Sequence, residues 1–321
     1  MKFSVASLLC LAFASGEALA NGAMVEHTAG GLEFKQSDTV AILREDLFVS
    51  THKVTVHYLY ESTATTPQTV EIAFPMPPIP VNQDPDSISE NRAEGFPPEN
   101  YMGFMVSVDG KPVTAQAYER ALVGDVDVTA KVKSAGLPLH MLVDDVAGTL
   151  KKLPQAARDG LVAAGALSMG EGEDPFYWPQ WQYQTVFGWT QTIPAGRTTV
   201  DITYAPLAGY PSDTGDEYEM GDAAKEACVD GAVRQALKKR KDAGAPYEVA
   251  SVGYVLTTAK YWKGPIREFN LTVEKSDANE LAAFCPPDAK KVSPVRFEWH
   301  AKDFAPTRDL RALFYSFQTP E

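Results

Sequence analysis

Between Ser251 and Lys275 the chain alternates apolar and polar positions at the two-residue period of a strand. Val252, Tyr254 and Leu256 fall on one face. After a Lys263-Gly264-Pro265 turn, Phe269, Leu271 and Val273 do so again, with Asn270, Thr272 and Glu274 pointing the other way. This predicts two strands joined as a hairpin, each with one buried face. Similar alternation runs from Leu32 to Pro75, where Val54, Val56, Tyr58 and Tyr60 oppose Thr55, His57 and Leu59. Such a pattern predicts an antiparallel sheet with one wetter face. A strand over Thr69 to Phe74 stops at Pro75-Met76-Pro77-Pro78-Ile79-Pro80, where prolines remove ladder donors. Asp109-Gly110, between Phe104–Val108 and Val113, marks a tight hairpin. Further strands are expected over Tyr183–Thr192, around Val200–Tyr204, around Val295–Trp299 and near Leu310–Phe317.

The period changes at Gly124. Asp127 is placed to cap a helix carrying Val128, Val132 and Ala135, which Gly136 and Pro138 end. A second helical period, Val143 to Leu153, stops at Pro154, and a third runs to about Ala166. Residues 223–241 have the composition of one further helix, acidic before it and ending in Lys238-Lys239-Arg240-Lys241, which complements the helix dipole. The fold class expected is mainly β: two packed antiparallel sandwich-like modules, residues 21–210 and 211–321. The first carries a short helical insertion at about 124–166, and the second begins with the further helix.

The first twenty residues stand apart. Lys2, an apolar run from Phe3 to Ala14 and then Ala18-Leu19-Ala20 predict an export leader with a small-x-small cleavage site, the competing reading being a membrane anchor left uncleaved. The apolar run is too short to span a bilayer, and no transmembrane segment is expected after cleavage. Localisation is therefore expected to be periplasmic or secreted. Removal of the leader takes Cys10 away and leaves Cys228 and Cys285, an even pair in an oxidising compartment. A disulfide between them is expected, stabilising the fold by about 4 kcal/mol in the chain-entropy view. The competing readings are a redox pair, against which stands the lack of Cys-x-x-Cys spacing, and a metal site, against which stands the lack of a nearby His. A net charge of −13 disfavours nucleic acid and anionic lipid as partners.

Few residues carry a chemical signature. Ser50-Thr51-His52-Lys53 matches Ser-x-x-Lys but lies between two strands, so it reads as a turn. His52 and His57 are five residues apart, on opposite faces of any shared strand, while His27, His140 and His300 can join them only through the fold. Neither a metal site nor a cofactor motif is expected. The acidic stretch with Asp213, Asp216, Glu217, Glu219 and Asp222 offers oxygen ligands for calcium without EF-hand order, and reads first as a solvated loop. The aromatic run is the best binding candidate: Phe176, Tyr177, Trp178, Trp181 and Tyr183 beside Gln and Pro can stack on sugars or peptides. Closing the insertion onto the core is the competing use of the same rings. The 81–103 loop and the insertion are the other regions in which function is sought.

The chain resembles the bacterial family called domain of unknown function 4424 over nearly the whole mature length. The resemblance is carried by Ala29-Gly30-Gly31-Leu32, Ser37-Asp38, Glu45-Asp46-Leu47 and Phe74-Pro75-Met76-Pro77. It continues through Asp109-Gly110, Trp189 to Gly196, Tyr204-Ala205-Pro206 and Gly209. Tyr254 to Ala259, Trp262, Gly264-Pro265-Ile266, Phe269, Phe284-Cys285 and Phe297-Glu298 complete it. Ile193 stands where the pattern usually has Phe, and Thr203 where it has His. The strand pattern is also similar to vault and inter-alpha-trypsin type β-sandwich domains. The resemblance implies a secreted, β-rich envelope protein and brings no catalytic residue. The expected function is a non-catalytic scaffold for an envelope protein or glycan. The alternative is a hydrolase of an envelope polymer using carboxylates such as Asp46 or Glu298.

Overall fold

The structure, a computed structural model, describes residues 22–28, 31–81, 93–140, 146–170, 176–208, 219–245 and 247–317. The expected leader lies outside them. Among the described residues, eight strands form the largest sheet, in the spatial order Lys290–Lys291, Arg296–Phe304, Ile266–Glu274, Val40–Val49, Val54–Ser62, Gly196–Tyr204, Met105–Val108 and Lys111–Val113. Its pairings are antiparallel except one: Ile266–Glu274 lies parallel to Val40–Val49. This sheet draws strands from both sides of residue 210. A seven-stranded sheet contains Val126–Asp127, Gln116–Val123, Gln182–Ile193, Gln68–Pro75, Ala23–Thr28 and Gly31–Phe34 in that order, with Ile79–Pro80 beside Gln182–Ile193. The third, of three strands, is ordered Tyr247–Tyr254, Leu310–Phe317 and Leu281–Phe284. The protein is thus mainly β and sandwich-like.

The alternation read from the sequence sorts the sheets into layers. Val54, Val56, Tyr58 and Tyr60 are buried while Thr55, His57 and Leu59 are only half-buried. The buried side packs on Ile72, Phe74, Phe187 and Trp189 of the seven-stranded sheet and on Val252, Tyr254 and Phe314 of the three-stranded one, in a single core. Aromatic rings form the seam: Phe104 stacks on Phe187 at 4.2 Å between centroids, and Phe74 touches Phe104, Tyr204 and Tyr254. Tyr247, Val249, Leu313 and Tyr315, on the other face of the three-stranded sheet, pack against Leu237 and Ala224 of the helical segment. That small sheet is therefore buried on both faces, which accounts for its apolar density.

Two local expectations are corrected. The strands around Lys263-Gly264-Pro265 do not form a hairpin. A 3-10 turn, Thr257–Tyr261, follows the first, which pairs with Leu310–Phe317, while the second leaves for the eight-stranded sheet. At this departure Asp309 Oδ1 accepts from the backbone N–H of Leu256 and Thr257, both at 3.0 Å. Nor is 223–241 one helix. Asp222–Glu226 and Gly231–Asp242 are separate, because Cys228 takes φ 52° and Asp230 caps the second helix through Val233 N–H at 2.8 Å. Cys228, at that break, forms the expected disulfide with Cys285, with Cα atoms 5.2 Å apart. The insertion does form three short helices, Thr129–Ser134, Val146–Lys152 and Gln155–Ala163. Asp109 and Gly110 both take positive φ at the expected tight turn between Met105–Val108 and Lys111–Val113.

Candidate functional site

The outer face of the eight-stranded sheet is built by a register that no single strand reveals. Along Val40–Val49 the buried positions are first Val40 and Ile42, then Glu45, Leu47 and Val49. The parity changes at a β-bulge, where Ile42 opposes Tyr60 but Arg44 opposes Leu59, leaving Leu43 as the extra residue. Without the bulge Arg44, Asp46 and Phe48 would point into the core. With it they join the wetter side of the neighbouring strands. Direct cross-strand pairing then aligns His300, Asn270, Asp46, His57, Asp201 and Ser107 in one row across six strands. The next row on the same face is Glu298, Thr272, Phe48, Thr55, Thr203 and Met105. Five strand spacings make each row about 24 Å long.

These rows floor an open cavity of 960 Å³, whose rim includes Asn100, Phe104 and Pro112 to Ala115. Asn100 is fixed to its neighbour, giving Nδ2–H to Phe104 O at 3.1 Å and accepting Phe104 N–H at 2.7 Å. The hairpin that forms one wall is anchored by Asp109, whose carboxylate accepts from Thr199 N–H at 2.8 Å.

Two hydrogen-bonded chains occupy the floor. Arg44 Nε donates to both Asp46 oxygens at 2.8 Å, and Asn270 Nδ2 donates to Asp46 Oδ1 at 2.5 Å. Asn270 Oδ1 therefore accepts, and His300 Nδ1, 2.7 Å away, is its donor. Across the row His57 Nδ1 donates to Asp201 Oδ1 at 2.6 Å. In their neutral forms both imidazoles then carry their lone pair on Nε2. The hydrogen bond and charge of Asp46 raise the pKa of Arg44 above its ordinary value, so the cation is permanent. The side chains of Arg44, Asp46, His57 and Asp201 remain partly solvated, 33 to 51% exposed.

This face thus presents carboxylate, amide, imidazole and guanidinium groups side by side. The ring partners of His57 and His300 are Asp201 and Asn270. Among the described residues no three His, Cys, Asp or Glu side chains come together as metal ligands. Asp46 and Glu298 do line the same cavity. Asp46 already accepts from Arg44 and Asn270, and Glu298 lies two strands away, about 12 Å between Cα atoms by strand spacing and rise. His57 and His300, 243 residues apart in sequence but only three strands apart in the sheet, meet in this cavity through pairing alone.

The aromatic run lies elsewhere and divides. Trp181 and Tyr183 are buried: Trp181 Nε1 donates to Leu139 O at 2.8 Å, and Tyr183 packs on Tyr101 and His140. Tyr177 is held by Gln155 at 2.9 Å under the Arg158 guanidinium. Phe176 is 63% exposed and stacks on Trp178 at 5.0 Å. None of the five lines the cavity. Residues 209–218, which hold most of the acidic stretch, lie outside the described residues, as do 82–92 of the 81–103 loop. Glu219 is engaged by Lys241 at 2.7 Å and by the Tyr247 hydroxyl, and Asp222 by Lys225 at 2.7 Å. Ser50 forms the expected turn, its Oγ accepting from Lys53 N–H at 3.0 Å.

The family model described as "Domain of unknown function (DUF4424)" matches residues 20–313. No curated protein matches the sequence. Among solved structures, one from Legionella pneumophila subsp. pneumophila, described as a "putative nutrient binding protein", is similar with 14% identity and a TM-score of 0.42. The alignment covers 87% of this chain and 68% of that one.

Proposed function

From the premise that this chain belongs to the DUF4424 family, whose name assigns no activity, we propose that it is an exported, non-catalytic binding protein of the cell envelope, with its ligand on the outer face of the eight-stranded sheet. The observation that carries this reading is the 960 Å³ cavity floored by two aligned rows of side chains, most of them polar. Export is supported by the Lys2 to Ala20 leader pattern and by the Cys228–Cys285 disulfide, which an oxidising compartment maintains. Among the described residues no helix is long and apolar enough to cross a membrane.

Thermal shift with a panel of sugars, amino acids, short peptides and organic anions tests the reading, using wild type and an Asn270→Ala/His57→Ala variant. A stabilisation seen in wild type and lost in the variant is the expected result. A ligand whose effect survives the substitutions would move the site elsewhere, with the Phe176–Trp178 pair the first place to look. Polymer hydrolysis abolished by Asp46→Asn or Glu298→Gln would replace binding with catalysis.

A further inference from the structure

The lining of the cavity selects among ligand classes. Its fixed charges nearly cancel: Arg44 and Lys53 stand against Asp46, Asp201 and Glu298. Arg44 is already committed to Asp46, and Asp201 to His57. A phosphate or polycarboxylate ligand calls for a cluster of uncommitted cations, which this floor does not offer. A peptide bound through its backbone calls for an open strand edge, whereas the inner strands here have neighbours on both sides. A ligand of hydroxyl groups, each both donor and acceptor, suits a floor that mixes carboxylate, amide, imidazole and hydroxyl groups at the spacing of adjacent strands.

Apolar contact lies where such a ligand needs it. Phe48 sits mid-row between Thr272 and Thr55, and Met105, 53% exposed, ends the same row. An aromatic ring beside planar polar groups fits the two aspects of a pyranose, its C–H face and its hydroxyl rim. The rows, about 24 Å long, exceed one sugar ring several-fold. We propose that the outer face binds a neutral oligosaccharide laid across the strands, hydroxyls on the His300–Asn270–Asp46–His57–Asp201 row and one ring over Phe48. This rests on the reading of the face as a binding site.

The test is isothermal titration of the mature protein with neutral tetra- to hexasaccharides of the cello, malto, manno and chito series. The corresponding monosaccharides, an oligogalacturonate and tri-alanine complete the panel. One neutral series is expected to bind, more tightly with length, and Asn270→Ala and Phe48→Ala are each expected to weaken it about tenfold or more. Both variants should keep the wild-type denaturation midpoint to within a few degrees, so that lost affinity is not lost fold. Binding of only oligogalacturonate or tri-alanine, weakened by the same substitutions, would overturn the saccharide class and leave the binding face standing. Neutral saccharide binding that ignores both substitutions would overturn the placement, and no binding by any probe would overturn both readings.

Discussion

Arg44, Glu45 and Asp46 are consecutive, yet they serve two different polar networks on the two faces of one sheet. Arg44 and Asp46 lie outward with Asn270 and His300, partly solvated and joined by short hydrogen bonds. Glu45 is fully buried and receives the Tyr254 hydroxyl at 3.2 Å, which in turn meets Tyr58 at 2.8 Å. The outward network can exchange its partners for water or ligand at little cost. The inward one cannot, because a buried group that loses its partner keeps the whole desolvation penalty. Polar residues on this strand therefore belong to the core or to the solvated face according to the side that the bulge assigns them.

The sharpest way to break the inward network is Tyr254→Ala, which removes a buried ring and the hydroxyl between Tyr58 and Glu45. Urea denaturation should show a loss of about 4 kcal/mol. Alkaline titration probes the same side more gently. Burial raises the pKa of Tyr58, Tyr60, Tyr204 and Tyr254 above the ordinary value of 10.0. The folded protein holds those protons after the unfolded chain has released them. Stability is thus intact below pH 10 and declines as the pH rises above it, by about 1.4 kcal/mol per pH unit for each such tyrosine. Denaturation curves between pH 9 and 11 check the slope, and a flat response would deny the tyrosines their burial. The smallest effect is expected outside: Asn270→Ala should change the unfolding free energy by about 0.5 kcal/mol or less, as for other solvated surface positions. A loss comparable to that of Tyr254→Ala would erase the distinction between the faces.

Much of the layering was legible before the fold was known. Val54 to Tyr60 announces a buried face and a wet one, and the Asp109-Gly110 turn and the three short insertion helices follow from local chemistry. The disulfide was legible from an even cysteine pair behind an expected leader. What local pattern does not encode is the choice of neighbour. Asn270 and His57 were each visible as outward residues, but only the parallel pairing of Ile266–Glu274 with Val40–Val49 sets them two strands apart in one row. The bulge at Leu43 was equally hidden, since Ile42 to Phe48 has no clean alternation. A turn signal at Lys263-Gly264-Pro265 suggested a hairpin, whereas the Asp309 contacts at the departure come from far along the sequence. The aromatic run drew attention as a unit, while strand alternation and the insertion divide it between core and surface.

The parallel pairing also joins two segments far apart in the chain. Asp46 and Asn270 are 224 residues apart in sequence, and ribosomes deliver the chain from its amino end. Val40–Val49 must keep one edge unpaired until Ile266–Glu274 arrives, exposing main-chain donors and acceptors to any other strand in the meantime. Closing so distant a contact is a slow step. A truncated chain that ends before Ile266 would retain His57 and Asp201 but have an open edge where Asn270 and His300 belong, making it a self-associating species and a ready substrate for chaperones and proteases.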